Sequence, residues 1–171
     1  MAPTDVYDLA GLRLQSGEGR RLDLEVVQEP LELAGTLYEL QPQTLPVRLD
    51  VSRTTGGGYS LRLRASASVS GPCMRCLEPA APAIEVDARE VEVPGGGEEL
   101  DSPYVAGELL DLRGWVHDAV ALAAPDQLLC RPDCPGLCPI CAIALASAGP
   151  EHHHERGPDP RWAKLAELEL E

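Results

Sequence analysis

The chain contains no phenylalanine and only two tryptophans and four tyrosines among 171 residues. That excludes a core of stacked aromatics, so the interior has to be filled by Leu, Val and Ala, which suit strands as readily as helices. Lysine occurs once. Thirteen of the fourteen cations are therefore arginine, and they face 28 acidic residues for a formal net charge of −14. So acidic a body is repelled by phosphate, which disfavours nonspecific nucleic-acid binding through the whole surface. No apolar run approaches the roughly eighteen residues of a membrane-spanning helix, and the opening M-A-P-T-D-V-Y-D-L lacks the basic and apolar segments of an export signal. The expectation is a soluble cytoplasmic protein with no membrane partner. Catalytic signatures are missing as well. The glycine runs at 56–58 and 95–97 lack the Lys and the strand-to-helix setting of a phosphate loop, and there is no His-Glu-x-x-His and no Ser elbow. A protein that is not an enzyme and takes no small-molecule substrate is expected.

The charge is unevenly placed. Residues 1–72 carry seven Arg against nine acids, net −2, whereas 73–171 carry seven cations against nineteen acids, net −12. Any basic partner would therefore meet the C-terminal part.

Six cysteines are present, and they are not scattered. Four fall in C-R-P-D-C-P-G-L-C-P-I-C, at Cys130, Cys134, Cys138 and Cys141, with prolines stiffening the intervals, and Cys73 and Cys76 form P-C-M-R-C-L. In a reducing compartment such spacing favours metal ligation over disulfides. Zinc takes four tetrahedral thiolate or imidazole ligands, and a Cys-x-x-Cys turn offers two sulfurs to one ion. His152 and His154, in the run E-H-H-H-E, supply imidazoles. One grouping places Cys73, Cys76, Cys130 and Cys134 around a first ion and Cys138, Cys141, His152 and His154 around a second. Another puts the four clustered cysteines on a single ion and leaves Cys73 and Cys76 free. One or two structural zinc ions are expected, each contributing on the order of 10 kcal/mol of apparent binding free energy. The first grouping leaves no pair of thiols without a partner. His117, alone within a helical stretch, is expected to be structural or solvated.

The periodicity predicts α+β: a mainly antiparallel, barrel-like β core followed by a helical and zinc-knuckle region. The chain reads as one domain, 1–171, with a β-rich part at 1–93, a mobile Gly-rich loop at 94–103, and the helix, Cys cluster and C-terminal helix in 104–171. Strands are expected at 22–26 and 31–37. The clearest hairpin joins Val47, Leu49 and Val51 to Leu61, Leu63, Ala65, Ala67 and Val69 across T-T-G-G-G. Its outer face carries Arg48, Arg62 and Arg64, which read either as a local RNA-contact patch or as a solvated face that resists edge pairing. Ile84, Val86 and Ala88 alternate inward, and the change of parity at Val91 and Val93 predicts a bulge near Arg89 and Glu90. Leu109, Leu112, Val116, Ala119, Val120 and Ala123 recur at helical spacing before Pro125. A last helix is predicted from Asp159 and Pro160, with Trp162, Leu165 and Leu168 as its stripe.

Taken together, C-M-R-C-L at 73–77, E-L-L-D-L at 108–112, A-P at 124–125, L-C-R-P-D-C-P-G-L-C-P-I-C at 129–141 and D-P-R-W-A-K-L at 159–165 resemble the YceD family, large ribosomal RNA subunit accumulation proteins. The chain departs from that family at Ala142, where a Gly usually follows the last Cys. The resemblance implies a bacterial cytoplasmic factor of ribosome biogenesis, required for large-subunit (23S) rRNA. Its partners would be the pre-ribosomal large subunit, through ribosomal RNA or a basic ribosomal protein. The same thiols also suit a zinc- and thiol-based redox sensor or a protein adaptor, and a zinc hydrolase ranks last because the ligand set looks saturated.

Overall fold

A computed structural model describes residues 3–33, 35–97 and 100–154. Among the described residues ten strands and one α-helix follow in order: β1 (Val6–Asp8), β2 (Gly19–Val27), β3 (Leu31–Leu33), β4 (Thr36–Gln41), β5 (Thr44–Arg53), β6 (Tyr59–Pro72), β7 (Pro79–Ala80), β8 (Ala83–Glu92), β9 (Val105–Ala106), β10 (Leu109–Asp111) and α1 (Leu112–Ala123). All pairings are antiparallel. The class is α+β and mostly β, and among the described residues no helix is long and apolar enough to cross a membrane.

The spine is β6, 14 residues long. Its first part pairs with β5 on one edge and β8 on the other, residues 68–70 pair with β4, and its last two residues with β7. Period-two alternation explains it: Leu61, Leu63 and Val69 point inward and are essentially inaccessible, as are Leu45, Leu49 and Val51 of β5. No described pairing joins β2 to β8, so the sheet is open where a barrel-like closure was expected. The helix α1 packs against β8, β2 and β1 instead. It buries Leu112, Trp115, Val116, Ala119 and Val120, and Tyr104 stacks on Trp115 at 6.1 Å. One large ring from the helix thus substitutes for the phenylalanines the chain lacks.

Three expectations are corrected. Leu109 lies in β10, paired to β1, and is half exposed; the helix begins at Leu112, where the Asp111 side chain accepts the Gly114 N–H at 2.9 Å. The stretch 31–37 is two short strands around a turn at Gly35. No bulge interrupts β8, whose register against β6 runs unbroken from Ala83 to Glu92. Its inward side ends in Glu90 and Glu92, and these carboxylates accept the Ser102 hydroxyl at 3.0 Å and the Ser102 N–H at 2.7 Å. A satisfied polar end replaces the expected apolar one. The Gly-rich segment after β8 is closed by the Val93 N–H donating to the Leu100 carbonyl. The predicted helix from Asp159 to Leu168 lies outside the described residues.

Candidate metal centres

The strand β6 ends one residue before Cys73, so the sheet itself presents the first thiol. A tight turn follows. The Cys73 N–H donates to the Glu78 carbonyl at 2.8 Å and the Leu77 N–H to the Cys73 carbonyl at 2.9 Å, with Leu77 in the left-handed region at φ 63°. The chain leaving α1 comes back to this turn, because the Met74 N–H donates to the carbonyl of buried Leu128 at 2.8 Å. That bond places Cys130 and Cys134 over the turn. Cys73 and Cys134 sulfurs lie 3.8 Å apart, and those of Cys76 and Cys130 3.6 Å apart. Sulfurs bound about 2.3 Å from one tetrahedral ion are roughly 3.8 Å from each other. All four ligand atoms fall within 4.8 Å of one another, and Cys73, Cys76 and Cys134 are buried. Arg75 secures the loop by donating to the Cys134 carbonyl at 3.2 Å and to the Gln127 Oε1 at 3.3 Å. At Gly136, with φ +79°, a Cβ would stand 3.1 Å from the Arg75 carbonyl oxygen, so this crossing requires glycine.

The second centre repeats the same backbone. The Cys138 N–H donates to the Ile143 carbonyl and the Ala142 N–H to the Cys138 carbonyl, both at 2.8 Å, and Ala142 takes φ 56° where a glycine was expected. The departure at Ala142 therefore leaves the knuckle intact, at a cost of roughly 1 kcal/mol for a non-glycine residue in this region. Leu77 carries the same cost. The Leu145 N–H donates to the Gly136 carbonyl at 2.9 Å and turns the chain back, and the His152 N–H caps the Gly149 carbonyl at 2.9 Å. Cys138, Cys141, His152 and His154 bring their ligand atoms within 4.8 Å, with 3.8 Å between the Cys141 sulfur and His152 Nε2. The two imidazole rings stand edge to face at 4.8 Å. Here Cys141 and His154 are exposed.

The thiols do not share one acidity. Burial pushes the Cys73 thiol up, but backbone hydrogen bonds from Cys130, Arg75 and Cys76 outweigh it and bring it down to about 6. Desolvation and the crowding of the Cys76, Cys134 and Cys73 sulfurs push Cys130 up to about 12. At Cys76 a backbone hydrogen bond from Glu78 is outweighed by burial and by the Cys73 and Cys134 sulfurs, and its thiol rises. In the second centre, backbone hydrogen bonds from Cys141 and Ile140, with the His152 side chain, lower Cys138 to about 6. Donors aimed at one sulfur favour its thiolate, whereas sulfurs crowded together resist a second negative charge unless a cation joins them.

The eight residues singled out in the sequence thus gather four and four, with Cys130 and Cys134 beside Cys73 and Cys76 and not beside Cys138 and Cys141. His117 stays on the exposed side of α1, 3.2 Å from Asp118. The expected basic patch is neutralised. Arg48 pairs with Asp23 at 3.2 Å, Arg62 makes a two-pronged contact with Asp87 at 2.8 and 2.5 Å, and Arg64 shares Asp50 with Arg21. Arg48 stands directly opposite Asp23, whereas Arg62 and Arg64 reach diagonally, Arg62 to Asp87 opposite Arg64 on β8 and Arg64 to Asp50 opposite Arg62 on β5. The signal was present as acids at the same parity on neighbouring strands. Sequence reasoning missed Arg75 and Leu77, whose roles depend on the returning loop and on φ.

These features define an α+β, mostly β protein whose Cys and His clusters are each compatible with a metal-holding knuckle. The chain belongs to the YceD family, described as large ribosomal RNA subunit accumulation protein, whose model matches residues 61–169. Similar proteins include an uncharacterized protein of Mycobacterium tuberculosis, 43% identical over 109 residues that cover 60% of this chain and 52% of the relative. An uncharacterized protein of Mycobacterium leprae is 31% identical over 109 residues, covering 60% and 49%. The chain therefore matches about half the length of these relatives. No solved structure matches.

Proposed function

We propose that this protein is a non-enzymatic cytoplasmic factor of ribosome biogenesis that promotes accumulation or processing of large-subunit (23S) rRNA, with two structural zinc ions setting its shape. The observation that carries the reading is the family match over residues 61–169 together with two four-ligand clusters that take up all six cysteines. A saturated tetrahedral set stabilises a fold, whereas hydrolytic zinc keeps a position open for water. The partner would be the pre-ribosomal large subunit. Contact through Arg48, Arg62 and Arg64 would require breaking their aspartate pairs, so contact of the acidic C-terminal part with a basic ribosomal protein is favoured over direct RNA contact.

Affinity isolation of the native protein, with sequencing of bound RNA and identification of bound proteins, tests this. Large-subunit precursor particles and two zinc ions per chain are expected. Absence of ribosomal components, or a metal-free preparation with the native fold, would overturn it. A second reading, a zinc-held thiol redox sensor or adaptor, is favoured by one observation: Cys130 and Cys141 are exposed. Fast thiol labelling of the metal-loaded protein, with metal release, would support that reading instead.

A further inference from the structure

Beside the first knuckle lies a shallow groove of about 550 Å³, lined by Gln41, Ser70, Pro72, Leu77, Pro79 and Ala81 among others, and no charged residue lines it. Leu77 is its most conspicuous member. The residue occupies the left-handed position that closes the Cys73–Cys76 turn, where glycine would fit without strain, yet its side chain is 67% exposed. The fold gains no burial from a branched side chain there. A strained conformation combined with an exposed apolar group points outward, to something the side chain touches in a complex.

The rim states the chemistry of that partner. Glu39 stands opposite Ser70 in the β4–β6 register, and Glu78 follows Leu77. Both are exposed and neither is ion-paired to a described residue. The nearest cation in sequence, Arg75, is held by the Cys134 carbonyl and Gln127. An apolar floor of Pro, Ala and Leu beside two exposed carboxylates that no described cation pairs suits an aliphatic side chain flanked by Lys or Arg. RNA is disfavoured, because its phosphates would approach Glu39 and Glu78 on a chain of net charge −14. A second copy is disfavoured too, since a two-fold contact would set like carboxylates against each other.

We infer that this groove is a docking site for a basic protein segment that inserts an aliphatic side chain against Leu77. The inference rests on the biogenesis reading above and names the face that reading would use. Two variants test it: Leu77→Gly, which removes the anchor while relieving the backbone, and Glu39→Lys with Glu78→Lys, which reverses the rim. The probes are individually purified, RNA-free proteins of the large ribosomal subunit and, separately, a transcript of the large-subunit rRNA, each titrated onto the metal-loaded full chain. The expected result is that at least one basic protein binds, that Leu77→Gly weakens it tenfold or more with metal content retained and the melting temperature equal or higher, and that the reversed rim removes binding and its salt dependence. Binding unchanged in both variants would overturn the inference. So would binding of the transcript alone, binding of no protein, or a loss in Leu77→Gly confined to self-association. Sedimentation with large-subunit precursors separates the two readings. If the wild type fails to sediment with them the biogenesis reading falls, whereas unchanged sedimentation and binding by Leu77→Gly removes only the groove.

Discussion

The two centres share one backbone motif and differ in what they connect. The first draws its ligands from thiols 54 and 61 residues apart and joins the end of the sheet to the segment after α1. The second closes a loop of 11 residues between Cys141 and His152 and ties that segment only to itself. Three ligands of the first are buried, against one of the second. Fixing distant residues removes more freedom from the unfolded chain than fixing near ones, and burial keeps water from competing for the ion. The first centre is thus part of the core, next to Leu128 and the end of β6, and the second is an ornament on the tail with its own local geometry.

Replacing Cys73 and Cys76 together with Ser is the most damaging change. Metal content should fall from two ions to one, and metal-dependent stability on the order of 5–10 kcal/mol should disappear in denaturant unfolding. Cys138→Ser with Cys141→Ser should also cost one ion but leave the main unfolding transition nearly in place, with faster proteolysis confined to 135–154. Equal losses from both pairs would erase the distinction between a core centre and a tail centre. A smaller effect sharpens the likeness instead: Leu77→Gly and Ala142→Gly should each raise stability by up to about 1 kcal/mol, measured by unfolding of the metal-loaded protein, because both relieve the same left-handed turn.

The smallest effect lies away from both centres. The Arg62 hydrogen bond and charge hold Asp87 below the usual carboxylate range. Its pair therefore contributes fully above the unfolded carboxylate pKa of about 3.9 and is lost as pH falls through the lower folded value. Asp87→Asn should lower the urea midpoint slightly at pH 6 and flatten its decline below about pH 4. A wild-type-like acid profile in the variant would show that this exposed pair contributes nothing.

Much of this was legible in the residues. The alternation at 47–51 and 61–69 gave β5 and β6 because inward Leu and Val and outward Arg and Asp leave one register that buries the apolar set. The gathering of Cys73 and Cys76 with Cys130 and Cys134 followed from leaving no thiol pair unmatched. What stayed hidden depends on distant partners. Leu109 fits a helical stripe, and only β1, a hundred residues earlier in the chain, turns it into a strand. The parity change in β8 looked like a bulge because Ser102, which satisfies Glu90 and Glu92, follows a glycine loop and carries no periodic signal. Arg62 looked free because Asp87 lies on the next strand.

The bond from the Met74 amide to the Leu128 carbonyl needs no ion, and Leu128 is already sunk in the interior at 2% exposure. If the cluster holds the proposed ion, half of the first clasp would be in place before loading, with the Cys130 sulfur 3.6 Å from that of Cys76. Loading would then resemble snapping a buckle shut on a belt already threaded, and a chelator should free the strap end first and slacken the waistband after it.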